Sequence, residues 1–334
     1  MNEQLHPSSL SEILDRTAQL YRSRFLIFLG IAVIPTAVLI LPAGGLALFI
    51  AWAGSGHGTR NPAAGGVAAL FLGGLALIAL PAFLASTGLA MAAMSHAAAR
   101  TFLGQPITIR GSYKAVWHHG WRAIGLYIFQ IVVVWVVPFA AWVIFMMFSA
   151  VLSSLVQTAG LGSGGLFGLV AFLIIVGLIA YGFWMDLRLS LAFPAAQVEQ
   201  IGVWDAFRRS ITLTDGTKGR ILLLYLLAIA LNSILSLAIT LPLALVMYLV
   251  PGSSNPQHAQ AVRTFVLLVV YRASFAVQAL TRPVSGIALV LFYYDQRIRN
   301  EAFDIEWMMI QAGLVVPPAT QPAETPPAAL GEQT

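Results

Sequence analysis

The chain has 334 residues, 59% of them apolar and 9% charged, with a formal net charge of +5 and no cysteine. An ordinary soluble domain carries about 25% charged residues, so a water-soluble globule is excluded as the main body. The missing cysteine excludes disulfides, thiol catalysis and cysteine-bound metal.

Residues 1–7 lack the basic start and short apolar core of a cleaved signal peptide, so the N-terminus is expected to stay on the chain. After it come three stretches without charge: between Arg24 and Arg60, between Arg122 and Asp186 (63 residues), and between Arg220 and Arg263 (42 residues). One bilayer crossing needs about 20 apolar residues. Six spans are predicted in chain order, at 25–52, 66–93, 123–151, 166–185, 221–249 and 273–294. Turns rich in glycine, proline and serine join the paired spans at 54–58, 160–165 and 251–256. The expected fold class is all-α: a polytopic membrane helical bundle of three tandem hairpins. Pro35, Pro42, Pro81, Pro138, Pro242 and Pro283 fall inside spans, where each frees a carbonyl that a neighbour must satisfy.

Fourteen of the 18 Lys and Arg residues lie on one side of this layout, and only Arg60 and Arg263 on the other. The positive-inside rule then puts both termini in the cytoplasm. The same asymmetry explains the basic charge without nucleic acid.

Arg24, Arg122 and Arg220 are spaced by 98 residues and each begins a span; Gly104 and Gly202 keep the same interval. Units at about 8–104, 105–202 and 203–312 are expected to be parallel repeats forming a pseudo-threefold or arc-like bundle within a 1–312 membrane domain. Residues 313–334, rich in proline, read as a disordered cytoplasmic tail. A short amphipathic stretch precedes each hairpin. Ser9-Leu10-Ser11-Glu12 is a capping box, with Leu10, Ile13, Leu14, Ala18 and Tyr21 at helical spacing behind it. The segment 109–117 is shorter and holds a glycine, and in 203–211 Val203, Phe207 and Ile211 share a side. Such helices lie at the headgroup level. There a basic residue near an anionic leaflet is worth about 1 kcal/mol.

The run Leu291-Phe292-Tyr293-Tyr294-Asp295-Gln296-Arg297-Ile298-Arg299-Asn300-Glu301-Ala302-Phe303-Asp304 is distinctive. With Phe193-Pro194-Ala195-Ala196-Gln197-Val198-Glu199, Ala206-Phe207-Arg208-Arg209-Ser210 and the opening 10–22, it resembles the bacterial membrane domain attached to some glycerophosphodiester phosphodiesterases and often found alone. The resemblance covers about 8–312. Ala302 stands where that pattern usually has glycine, and Arg282 where it is usually uncharged. It implies a stand-alone membrane platform near lipid metabolism, without the barrel whose histidine, glutamate and aspartate hold metal. No enzyme activity, cofactor or metal is expected. His118 and His119 are adjacent and cannot readily share an ion; Gly44-Gly45 and Gly164-Gly165 have no lysine after them to make a phosphate loop.

Three groups of residues remain as candidate sites. Arg22, Arg24, Arg122, Arg208, Arg209 and Arg220 are expected to contact lipid phosphates. Arg282, about 12 residues inside the last span, is expected near mid-membrane, facing a polar interior. Asn232, Gln130 and Asp186 are its candidate partners, Asp186 also being placed to pair with Arg188. Asp295, Arg297, Arg299, Glu301 and Asp304 are expected to pin the last helix to the preceding amphipathic helix by ion pairs. The leading functional expectation is a non-catalytic inner-membrane protein that organises anionic lipid or docks a cytoplasmic protein partner. The rival is a transporter or flippase for a small anion or lipid headgroup, with a cavity between the hairpins.

Overall fold

Ser9 opens the first helix through its Oγ, which accepts the Glu12 N–H at 3.3 Å; α1 runs Leu10–Ser23. Arg24 breaks it. The start of α2 (Phe25–Gly54) leaves at 88° to α1. Next is α3 (Pro62–Phe102), stopped by Gly104 at φ 72°, a left-handed turn that lets the Gln105 N–H reach the Arg100 carbonyl at 2.8 Å. Thr108 caps α4 (Ile109–Trp117) by accepting the Gly111 N–H. Then follow α5 (Gly120–Ile131), a π-helical turn (Val132–Val136), α6 (Val137–Thr158), α7 (Gly164–Leu189) and the short α8 (Ala192–Val198). The last elements are α9 (Val203–Thr214), α10 (Lys218–Leu249) and α11 (Pro256–Glu301). This computed structural model describes residues 8–54, 62–158, 164–249, 256–301 and 309, and all regular structure among them is helical. The predicted turns lie largely outside these residues, as do Asp304 and the proline-rich tail.

Five helical stretches are long and apolar enough to cross a membrane: Gly73–Phe102, Gly120–Ser154, Gly168–Val198, Lys218–Leu245 and Leu268–Glu301. A sixth is added if α1 and the start of α2 count as one bent span. Large apolar side chains face outward along them, among them Leu77, Ile78, Phe139, Ile144, Phe148, Leu173 and Ile179. An outward belt of this kind is costly in water and neutral in hydrocarbon.

The buried core lies toward one end. It joins Phe28, Ile31 and Ala32 of α2 to Ala92, Ala93 and Ala97 of α3, Leu191 to Ala195 around α8, and Ile287 to Tyr294 of α11. Small residues on α3 let the backbones approach. A Cβ on Gly88 would meet the Ala123 carbonyl at 3.0 Å, and one on Gly286 would meet Met94 at 2.9 Å. Helices α2 and α3 pack as a pair, as do α10 and α11; α3 leans on α5, and α11 packs back onto α2. The chain therefore closes on itself. The innermost helix is α11: its most apolar stretch is 44% buried, against 6% for those of α5–α6 and of α7.

Proline leaves a distinct signature at two places. Pro35 frees the Ile31 carbonyl, and the Tyr113 hydroxyl of α4 donates to it at 3.0 Å. Pro138 frees the Val134 carbonyl at the π turn. That oxygen faces Gly182 so closely that a Cβ there would lie 2.9 Å away. The buried faces of α1 and α9 are rotated from the expected stripes. In α1 the face centres on Ile13 and Thr17 while Ala18 is exposed; in α9 it is Ala206, Phe207, Ser210, Leu213 and Thr214. Thr17, Ser210 and Thr214 can occupy these faces because each hydroxyl donates to a backbone carbonyl.

Candidate functional site

Two charged knots tie the end of α11 to its neighbours. Asp295 is 3% exposed and directly follows the core residue Tyr294. Its carboxylate accepts the Ser8 N–H at 2.8 Å, Arg220 Nη1 at 3.0 Å and Arg299 Nε at 3.0–3.1 Å. Arg220 and Arg299 each donate a second bond to the Ser8 carbonyl, at 3.0 and 2.8 Å. The start of α1 is thus held by both arms of two guanidiniums. In the second knot Glu199, just after α8, accepts the Tyr293 hydroxyl at 2.5 Å and Arg209 Nε at 2.9 Å. Arg209 also pairs with Glu301, which accepts Arg297 Nε at 3.1 Å.

These knots correct part of the expected lipid-contact set. Arg209 and Arg220 are committed to Glu199, Glu301 and Asp295, because a half-buried carboxylate left alone would be costly. Arg22, Arg24, Arg122 and Arg208 are exposed, as are Arg110 and Lys114 of α4. The Arg208 guanidinium stacks over the Trp204 ring at 5.6 Å. Trp117, Trp121 and Trp204 are themselves 71%, 85% and 57% exposed.

The residues expected to surround Arg282 are drawn elsewhere. Asn232 accepts the Thr281 hydroxyl at 3.1 Å. Gln130 donates to Asp186 at 3.1 Å, and the Tyr225 hydroxyl stands beside the same carboxylate. Asp186 makes no ion pair with Arg188, whose Nε is buried without a partner. Two residues along a helix turn the side chain by about 200°, which carries Arg188 away from the Gln130–Tyr225 side. Arg282 itself makes no ion pair with a described residue.

Arg282 lines a cavity of about 230 Å3 between α2, α3, α5, α8 and α11. Ala32 and Pro35 of α2, Thr87 to Ser95 of α3, Tyr127 of α5, Ser190 to Pro194 and Ser285 to Leu289 complete its wall. Thr87 is 1% exposed, and its hydroxyl lies near the Tyr127 phenol without a well-formed hydrogen bond. The Tyr21 hydroxyl donates to the Leu280 carbonyl at 3.0 Å. That contact brings the segment ending at Arg282 within a side chain's length of the α1–α2 corner, where Arg22 and Arg24 lie. A second cavity, about 420 Å3, runs between the π turn, α6 and α7, with Asp186 at one end and Trp142, whose ring N–H is buried and unpartnered, in its wall.

Sequence reasoning did not single out Ser8, Glu199, Tyr113, Thr87 or Tyr127. Glu199 carried a signal, being one of only 13 acidic residues and next to a predicted basic helix; the others are ordinary polar residues whose partners lie far along the chain. Among the described residues no three histidine, aspartate or glutamate side chains converge on a point that would hold a metal. No family model, curated protein or solved structure matches the chain.

Proposed function

We propose that this is a non-catalytic integral membrane protein of the bacterial inner membrane that gathers anionic lipid around one end and serves there as a scaffold. The observation that carries this reading is that Trp117, Trp121 and Trp204 are exposed, as are Arg110, Lys114, Arg122 and Arg208 close to them in the chain. Tryptophan with arginine or lysine at one level is the signature of a headgroup region. Opposite a cytoplasmic leaflet these cations meet lipid phosphates.

The topology proposed with it has six crossings, α2 being the first by itself and α1 lying outside the hydrocarbon, with both termini cytoplasmic. Three tandem repeats make up the bundle. Positions 98 apart support this: Phe28, Leu126 and Leu224 are all buried, as are Ala97, Ala195 and Tyr293. Gly88 packs on Tyr127, and 98 residues later Asp186 stands beside Tyr225. The register is not uniform, since Gly104 is left-handed while Gly202 is not and Gln200 takes φ 55° instead. We place the chain beside the membrane domain of glycerophosphodiester phosphodiesterases as a proposal resting on the motifs 193–199, 206–210 and 291–304.

The test replaces Arg22, Arg24, Arg122 and Arg208 together with glutamine and follows thermal unfolding in nonionic detergent. Added phosphatidylglycerol is expected to raise the wild-type midpoint more than phosphatidylcholine does, with the difference shrinking in high salt and its salt-sensitive part lost in the variant. An equal response of wild type and variant to the two lipids would reject the surface role.

A further inference from the structure

The Arg282 cavity has chemistry that surface association does not use. Its wall is mostly hydrocarbon, from Met91, Met94 and Leu289, yet one side carries a guanidinium with no carboxylate partner among the described residues. No acid lines this cavity, and Asp186 and Asp295 are engaged elsewhere, by Gln130 and by Arg220 and Arg299. A cation in such surroundings needs a counter-charge or water. The Thr87 hydroxyl is a second polar group there, buried and without a well-formed bond. At about 230 Å3 the space is far larger than the roughly 10–15 Å3 that a single water requires. Thr87, Met91 and Met94 follow one face of α3, and Arg282, Ser285 and Leu289 one face of α11, so the cavity is polar and cationic toward Thr87 and Arg282 and more apolar toward Met94 and Leu289.

We propose that this cavity is an internal binding site for an anionic amphiphile. A carboxylate or phosphate sits on the Arg282 guanidinium within reach of the Thr87 and Tyr127 hydroxyls, and the attached hydrocarbon lies along Met91, Met94 and Leu289. Arginine suits this role because its planar fork holds two oxygens of one oxyanion at once. The site is built from side chains of α2, α3, α5, α8 and α11, so its occupant couples their packing. It depends only on the membrane reading and not on the surface arginines. The two can fail separately.

The experiment measures thermal midpoints of the full chain in nonionic detergent with three probes: inorganic phosphate, a medium-chain fatty acid, and phosphatidylglycerol. Wild type is expected to be stabilised by one or both amphiphiles, at concentrations where phosphate alone does nothing. Arg282→Gln should weaken that response by at least about tenfold in apparent affinity. Arg282→Lys should recover it in part, and the Arg22/Arg24/Arg122/Arg208→Gln variant should keep a salt-resistant component of it. Ala90→Leu, which fills the cavity from an unrelated side, should abolish the response while retaining helical content. It stands as the independent variant if Arg282→Gln does not fold. Phosphate acting as strongly as the amphiphiles would overturn the amphiphile assignment. Undiminished amphiphile binding in both Arg282→Gln and Ala90→Leu would overturn the site itself.

Discussion

Tyr113 donates its hydroxyl proton to the carbonyl of Ile31, 82 residues earlier, and that carbonyl is the one Pro35 deprives of its helical donor. Two breaches of local preference, a proline inside a helix and a buried phenol, therefore satisfy each other. Burial pushes the Tyr113 phenol well above its ordinary value, which keeps the proton on the oxygen that must donate it. Tyr113→Phe is expected to cost about 1–3 kcal/mol, the loss of a donor to a buried acceptor. In a Pro35→Ala background residue 35 regains its N–H and can donate to the Ile31 carbonyl, so the same Tyr113→Phe change should cost markedly less. A double-mutant cycle of unfolding in detergent measures the coupling; strictly additive effects would contradict the pairing.

Gly182 faces the Val134 carbonyl at a distance that admits no Cβ. Gly182→Ala should therefore push α7 off the π turn and destabilise by about 1–3 kcal/mol, as overpacking does. Gly177→Ala on the same helix meets nothing within 4 Å and is expected to be neutral or slightly stabilising. Midpoints of the two variants compared with wild type decide the matter.

How much of this was legible beforehand differs by element. The uncharged stretches located the long helices, and the Ser9–Glu12 pattern located the start of α1, because hydropathy and capping are local properties. Helix lengths were underestimated. Predicted as 273–294, the last span belongs to a 46-residue helix, about 69 Å long at the usual rise. Its last turns are polar and so break the hydropathy pattern, yet Asp295 is buried there by partners from Ser8 and Arg220, with Gln296 bonded to it. No window of sequence around residue 295 contains residues 8 or 220. Glu301 is expected to tie the last helix to the preceding amphipathic helix, and it does so through Arg209, which is expected on lipid; distance along the chain hid that choice of partner and the separation of Asn232, Gln130 and Asp186 from Arg282.

Asp295 is the acceptor on which the first knot depends. Asp295→Asn should cost about 2–4 kcal/mol. The figure falls below that of a fully enclosed pair because the Arg220 and Arg299 side chains are 30% and 38% exposed. The start of α1 should loosen first. Limited proteolysis is expected to clip the variant near Ser8 while the long helices stay protected; clipping at the wild-type rate would show that the knot does not hold this segment.

Ser210 and Ser112, 98 residues apart, differ in what their hydroxyls hold. Its hydroxyl donates to the Arg188 carbonyl at 2.7 Å and accepts the Leu191 N–H at 3.2 Å, stitching α9 to the turn between α7 and α8. Ser112, 98 residues earlier, is equally buried but bonds only within its own helix, to the Thr108 carbonyl. Ser210→Ala should therefore cost about 1–3 kcal/mol, for two buried groups left unmet, and Ser112→Ala well under 1 kcal/mol. Equal costs would contradict the distinction.

Six crossings with both termini in the cytoplasm can be read most directly by cysteine labelling, since the natural chain has none. Single cysteines replacing Ser55, Ser163 or Ser253 are expected to react with a membrane-impermeant maleimide in intact spheroplasts. Cysteines replacing Ser9, Thr212 or Thr334 should react only after lysis. Labelling of Thr334→Cys from outside, or protection of the three turn positions until lysis, would contradict the six-crossing arrangement on which the lipid-facing basic end depends.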